Sequence, residues 1–364
     1  MKRTFAGTAA ALLAAVLLFP MQVAAISAEK AVVMDAATGR VLYDRRAEEE
    51  SLIASTTKIM TALVVCRQCN VLDRVRIPAE AVGIEGSSLY LREGEVMTVQ
   101  DLLYGLMLHS GNDAAMALAI YCGGTVEGFV ERMNDLAREL GLENTHFANP
   151  HGLDAPDHHS TAKDLATLAA CAMDDPVFRQ TVSTKTVTAG ERSLRNHNKL
   201  LWQVEGADGV KTGYTRAAGR ILVSSATRDG RRLIAVTINA PDDWKDHAAL
   251  LEDGFSRYSL TQIVQVGETV GTVSVLGGEG QWVQLVAGTE FSYPTADGET
   301  VTLEPFGPGF VYAPVVEGAE AGYAWVRIDG KAVGKIPLRY GKTVERIPEE
   351  EVSFWGKLIG GDRK

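Results

Sequence analysis

The sequence predicts an α/β chain of the α+β kind: one antiparallel sheet built from both ends of a domain and covered by helices, then a small all-β domain. Three observations predict this. Two β-branched runs near the N-terminus precede a long helical stretch, strand signals return beyond Asp208, and from about residue 262 Val, Thr and Gly fill short runs between regular turns. A chain of 364 residues also exceeds the usual size of a single core, so two domains are expected.

The elements follow in order. Lys2 and Arg3 precede an apolar run, and Val23-Ala24-Ala25 offers the small residues that an export peptidase reads, so residues 1–25 are expected to be a removable secretory signal. That run is short for a bilayer span, and no second stretch of about 18 apolar residues follows. Residues 31–35 and 40–43 read as a hairpin around Ala37-Thr38-Gly39. From Ser55, the positions Ile59, Ala62, Leu63 and Cys66 recur at helical spacing, so a buried helix starts at or next to that serine. Thr98 with Asp101 three residues later caps a second helix that carries Leu102, Leu103, Leu106 and Met107 and stops near His109.

Ser110-Gly111-Asn112 then reads as a tight connection into a third helix over 113–121, with Gly111 expected to take backbone angles that other residues resist. Further helices are expected at 125–140 and 160–173, separated by the Asn149-Pro150-His151-Gly152 turn. Strands follow at 209–215, 219–227 and 232–239, the last two joined by Asp229-Gly230. A helix at 248–258 closes a domain spanning 29–258. A β-sandwich-like domain covers 262–345, with turns at Gly277-Gly278, Asp297-Gly298 and Asp329-Gly330. In the tail, 349–364, a helix would gather Val352, Phe354, Trp355, Leu358 and Ile359 on one side. That face suits a membrane surface, whereas Glu349-Glu350-Glu351 repels anionic lipid, so an anchor and a frayed end both stay open.

Composition narrows the function. Hydrophobic residues at 46% and charged residues at 23% are those of an ordinary globular protein. A formal net charge of −10 argues against nucleic acid as a partner. Any grip on a substrate carboxylate must then come from locally placed bases, Lys211 first. Four cysteines are too few for a disulfide framework. Cys66 and Cys69 fall late in a helix, away from the N-terminal position of redox pairs, and are read as core or local pairing. His151, His158 and His159 lack metal-ligand spacing, so no metal and no other cofactor is expected. Gly341-Lys342-Thr343 ends like a phosphate loop, but Ile336 stands where the first glycine belongs, and no Gly-x-Ser-x-Gly elbow is present.

Three short strings carry the chemistry: Ser55-Thr56-Thr57-Lys58, Ser110-Gly111-Asn112 and Lys211-Thr212-Gly213. Together they supply a serine acyl-transfer site that needs no histidine. Ser55 is the nucleophile, and Lys58, on the same helix face, is its base once neutral, a state that burial and a nearby charge such as Lys211 would favour. Ser110 can relay a proton between Lys58 and the leaving amine. Asn112 can hold Lys58 or the substrate amide. The strand with Lys211, Thr212 and Gly213 can take an extended peptide in β fashion, Lys211 and Thr212 meeting its carboxylate and Gly213 keeping the edge bare. The backbone amides of Ser55 and Tyr214 would serve the oxyanion.

Ser-x-x-Lys, Ser-x-Asn and Lys-Thr-Gly are shared by penicillin-binding proteins and class A β-lactamases. The flanks go further. Ala54 through Ala62, Gly86-Ser87-Ser88, Asp101-Leu102-Leu103 through Ala115, Asn149 through Leu153 and Asp208 through Thr215 resemble the low-molecular-mass D-alanyl-D-alanine carboxypeptidases. The resemblance is close over residues 29–258 and loose beyond. It implies a β-lactamase/penicilloyl-transferase-like fold and removal of the last D-alanine from the peptidoglycan stem peptide ending in D-Ala-D-Ala, through an acyl-Ser55. It also implies inhibition by β-lactam antibiotics and a place at the outer face of the cytoplasmic membrane through the tail. Members often carry a carboxylate-binding arginine after the last sheet strand, where this chain reads Pro241-Asp242-Asp243-Trp244-Lys245, which leaves Arg216 and Arg220 for that role. Two other readings are a serine β-lactamase, for which a Glu-x-x-Leu-Asn segment between the second and third strings is missing, and a non-catalytic wall-binding scaffold.

Overall fold

The computed structural model describes residues 25–348. All but the last residue of the expected leader, and the tail 349–364, lie outside the described residues. The chain opens with the hairpin β1 (Lys30–Asp35) and β2 (Val41–Arg45). A 3-10 turn over Ala54–Thr57 leads into α1 (Lys58–Gln68). The small ladder β3 (Arg74–Arg76) and β4 (Val96–Thr98) precedes α2 (Val99–Leu108), α3 (Asn112–Gly123), α4 (Val126–Glu139) and α5 (Ala162–Asp174). Then come α6 (Pro176–Ser183), the hairpin β5 (Thr186–Ala189) and β6 (Arg192–Arg195), and α7 (Leu200–Gln203). The strands β7 (Ala207–Thr215), β8 (Gly219–Arg228) and β9 (Arg231–Ile238) and the helix α8 (Asp243–Arg257) complete this part.

The five strands form one antiparallel sheet in the order β2-β1-β9-β8-β7. The N-terminal β1 pairs with β9, Val33 opposite Ala235, so both ends of the chain segment meet in one sheet. Every residue of β1 is buried because both faces are covered. Val32 and Met34 join the core beneath the helical cluster, whereas Ala31 and Val33 pack with Leu250 and Leu251 of α8. That period-2 division explains why β1 reads as a continuous apolar run rather than an alternating one. On the helical side α1 is the central element, buried from Lys58 through Val65.

Several helix starts are fixed by side chains that accept orphan amides: Thr98 from Asp101, Thr125 from Gly128, Thr161 from Asp164, and Asp175 from Val177 and Phe178. α8 begins five residues before the expected 248, so the stretch after β9 is a helix N-terminus rather than a loop. α6, α7 and the β5–β6 hairpin were not expected at all, because elements this short give too few repeats for periodicity to register. A further difference lies at the second string. Ser110 holds the left-handed backbone, φ 67°, while Gly111 sits at φ −59°. Gly111 is needed for space instead, since a Cβ there would stand 2.8 Å from Asp113 Oδ1 and 3.1 Å from Leu89 Cγ.

The remaining strands are β10 (Tyr258–Val264), β11 (Thr269–Leu276), β12 (Trp282–Ala287), β13 (Phe291–Ala296), β14 (Val301–Phe306), β15 (Phe310–Tyr312), β16 (Glu320–Ile328) and β17 (Lys331–Tyr340). They make a six-stranded sheet, β14-β16-β17-β12-β11-β15, and a β10–β13 pair around an apolar cluster of their own that runs from Val264 to Val344. Arg40 on the N-terminal hairpin bonds Pro294 O and Glu299 and lies over the rings of Tyr258 and Tyr293. Among the described residues no helix is long and apolar enough to cross a membrane.

α8 is fastened to the sheet by a buried polar group. His247 lies between Ser224 on β8, 2.6 Å, and Thr237 on β9, 2.9 Å. A neutral imidazole offers one donor and one acceptor, and the hydroxyls complement both. Burial pushes the His247 pKa down to about 3. Below pH 6.5 the unfolded chain takes up a proton that the folded chain refuses until about pH 3, so this contribution is complete above pH 6.5 and is lost as pH falls. Between pH 7 and 4.5 it should amount to about 2 kcal/mol. Urea unfolding at the two pH values should show that loss in the parent and a shallower one in His247→Gln.

Candidate active site

Ser55 stands on the 3-10 turn, one turn ahead of Lys58 at the first position of α1. Two glycines let other segments close on that turn. A Cβ on Gly152, at φ 89°, would lie 1.9 Å from Ala54 O, and one on Gly213 would lie 3.2 Å from the amide nitrogens of Ser55 and Thr56. The edge strand β7 therefore runs alongside the backbone of the serine, and the 149–153 turn sits against the start of α1. Thr57 Oγ1 donates to Ala54 O at 2.8 Å and meets His158 Nε2 at 2.8 Å, which fixes the turn from below.

Lys58 is fully buried, and its Nζ has three neighbours: Asn112 Oδ1 at 2.7 Å, His151 O at 2.6 Å and Ser55 Oγ at 3.0 Å. Asn112 is oriented unambiguously, because its Nδ2 donates to Glu85 O at 2.5 Å. Two of the three neighbours are thus oxygens that can only accept. A neutral amine has two N–H donors and one lone pair. Once Lys58 is neutral, with its two hydrogens on Asn112 and His151, its lone pair would face the Ser55 hydroxyl. Burial first, and then the charge of Lys211, hold the Lys58 pKa well below its ordinary value, while Asp113 pulls it up.

Ser110 and Lys211 form a second pair. Lys211 Nζ donates to Ser110 Oγ at 3.0 Å and to Thr212 O at 2.8 Å, and the side chain is buried. Its pKa is pushed down to about 7 by burial. Lys211 thus bonds Ser110 and its own strand and is not among the residues that line the cleft. Ser110 for its part bonds Lys211 rather than Lys58.

The cleft over these residues has a volume of about 900 Å³. Ser55, Ser110, Thr212, Gly213 and Tyr214 line it, as do Arg195, His197, Lys199, Arg220, Asp243 and Trp244, a group that motif reading did not assemble. Of that second group only Arg220 had been singled out. On β8 it pairs in register with Tyr214, and its Nη2 donates to both carboxylate oxygens of Asp243 at 2.8 Å. That leaves the donors on Nε and Nη1 for a ligand. Lys199 and Arg220 both stand 5.9 Å from the Trp244 ring. Arg216 is exposed and does not line the cleft. His197 is neutral near pH 7, its pKa pushed to about 4 by burial, then by Lys211 and His109. Asp113, beside Asn112, accepts from Ser88 Oγ and from the amides of Leu89, Leu91 and Ala114, so it ties the 88–91 segment to the start of α3. Among the described residues no cluster of His, Cys, Asp and Glu could hold a metal ion.

A family model described as D-alanyl-D-alanine carboxypeptidase matches residues 19–242, a span that holds all three strings. The chain belongs to the D-alanyl-D-alanine carboxypeptidase family. A second model, the C-terminal domain of penicillin-binding protein 5, matches residues 258–346. The carboxypeptidase is 34% identical to D-alanyl-D-alanine carboxypeptidase DacF of Bacillus subtilis (strain 168) over 85% of this chain and 84% of that protein. It is 39% identical to DacD of Escherichia coli (strain K12) over 75% and 74%. Penicillin-binding protein 5 from Haemophilus influenzae shares the fold with a TM-score of 0.74 at 31% identity, covering 89% of this chain and 99% of that one. The enzyme is thus a serine hydrolase of the penicillin-binding class, with the mixed α/β fold of those proteins and a C-terminal all-β domain.

For Lys58 to act as the base that the sequence leads one to expect, it must lose its proton before Ser55 can attack. Acylation by penicillin should therefore fall with decreasing pH along a limb set by Lys58, far below the pH at which a solvated lysine titrates. Lys211→Gln removes the charge that disfavours Lys58 protonation. The variant's acid limb, followed by stopped-flow acylation, should move to higher pH.

Proposed function

We propose that the enzyme removes the terminal D-alanine of the peptidoglycan pentapeptide through an acyl-Ser55 intermediate. The observation that carries this reading is the buried Lys58 amine 3.0 Å from Ser55 Oγ, held in place by Asn112 Oδ1 and His151 O and with its pKa held well below its ordinary value, first by burial. The stem peptide adds to the free edge of β7. Lys58 takes the Ser55 proton as Oγ attacks the penultimate carbonyl. The backbone amides of Ser55 and Tyr214 receive the oxyanion. Ser110, held by Lys211, passes the proton to the departing D-alanine, and water on the same path then releases the shortened peptide.

In this reading Thr212 and the free donors of Arg220 bind the terminal carboxylate, Asp243 and Trp244 hold the guanidinium in place, and Lys211 supplies positive potential from beneath. The catalytic domain spans 29–258, the β domain 262–345 carries no catalytic group, residues 1–25 direct export, and the tail 349–364 makes a peripheral contact with the outer face of the cytoplasmic membrane. β-Lactams inhibit by acylating Ser55.

Release of D-alanine from a peptide ending in D-Ala-D-Ala, compared with Ser55→Ala, tests the core of the proposal. The parent should release it and the variant should not. Penicillin should give a persistent acyl-enzyme by mass spectrometry, whereas rapid turnover would favour a β-lactamase, and no release by either protein would favour a scaffold. Arg220→Ala should raise KM for the peptide by about 10- to 100-fold, the worth of a charge-assisted hydrogen bond, with kcat changed little. Arg216→Ala should leave both constants as they are.

A further inference from the structure

Cys69 and Cys122 are 53 positions apart in sequence, yet their Sγ atoms lie 2.7 Å apart, inside the contact distance of sulfurs that are not bonded. Cys69 is the residue that ends α1, and Cys122 belongs to the last turn of α3. These two helices pack against each other. At their opposite ends they carry Lys58 and Asn112, which bond each other at 2.7 Å. We propose that Cys69 and Cys122 form a disulfide that fastens the far ends of the two helices whose near ends hold the base.

The other cysteines are not equivalent. Cys66 lies one turn earlier on α1, and burial pushes its thiol up to about 12. The Cys171 thiol is also raised by burial. Cys122, by contrast, is held below its ordinary value by the hydrogen bond from Cys69 and, more weakly, by Arg132, while that same bond and burial raise the Cys69 thiol. Arg132 is itself placed by a 2.6 Å bond to Gln68 Oε1. Both sulfurs belong to half-buried residues, within reach of a small oxidant.

The chemistry is a thiol–disulfide exchange. The Cys122 thiolate attacks one sulfur of an oxidised dithiol, whose S–S bond breaks and releases a thiolate. The Cys69 thiolate then displaces the second, forming the Cys69–Cys122 bond. Two thiols lose two electrons and two protons, and one disulfide of the oxidant becomes two thiols. In the cell that oxidant belongs to the compartment reached by export, so this part rests on the export proposed above. With oxidised glutathione in vitro it does not.

The test is made on the full chain after exposure to oxidised glutathione, with alkylation in denaturant and peptide mass mapping. Two alkylated thiols, a mass lower by 2 Da for the unalkylated chain and a Cys69–Cys122 peptide are expected, the mass change following from the loss of two hydrogens. A Cys66→Ser/Cys171→Ser double variant should form the same bond. Reduction should lower the melting temperature of the parent by about 5 °C and leave Cys69→Ser/Cys122→Ser unmoved. Four free thiols, or a Cys66–Cys69 linkage, would overturn the assignment whether or not the enzyme releases D-alanine.

Discussion

A fully buried amine with only two acceptor-only neighbours governs the rest of the structure. Lys58 can sit in the core because Asn112 and the His151 carbonyl take its two hydrogens, and each partner is itself fixed. Asn112 is set by Glu85 O through its side chain and by Ser87 O through its amide. The His151 carbonyl comes from a turn that only Gly152 permits so close to Ala54. Burying a second lysine, Lys211, nearby adds repulsion, with Asp113 the one carboxylate that opposes it at Lys58. Two desolvated lysines in one core cost stability, whether by burying charge or by giving it up. The extensive apolar packing around α1, from Ile59 to Val65, offsets that cost.

Much of this was legible because it is local. The Ser55–Lys58 spacing, the Thr98 cap on α2, and the Asp229-Gly230 turn each act within four residues, and the β1–β9 pairing followed from the order of elements. What stayed hidden depends on distant contacts or on short elements. The left-handed backbone at Ser110 could not be told from one at Gly111, since glycine is the usual occupant. That Lys211 turns toward Ser110 depends on which face of β7 the cleft uses. The segment 193–199 contributes cleft residues from a four-residue strand and the loop beyond it, where no periodicity accumulates. The sulfur nearest to Cys69, that of Cys122, lies on a different helix 53 positions away, a proximity that Cys-x-x-Cys spacing does not reveal.

The cleft also shows why net charge is a poor guide to a site. The chain is acidic overall, yet Arg195, Lys199 and Arg220 line one cleft with a single paired carboxylate, Asp243. The His109 and His197 rings lie there 5.1 Å apart, tilted by 52°, and His197 stays uncharged near neutrality. Local bases therefore set the potential felt by an anionic peptide end, while the negative surface elsewhere does not reach it through roughly 8–10 Å of screening electrolyte.

Substrate binding and base activation are coupled through the two lysines. Burial pushes the Lys211 pKa down to about 7, so its charge is sensitive to what binds beside it. In the proposed mechanism a peptide carboxylate held by Thr212 and Arg220 would bring a negative charge next to β7, and an opposite charge favours the protonated form of Lys211. A fully charged Lys211 then disfavours a charge on Lys58, the direction already visible in the lowered pKa of that amine. On the proposed mechanism carboxylate binding would favour a charged Lys211 and a neutral Lys58, the arrangement in which Lys58 can take the Ser55 proton.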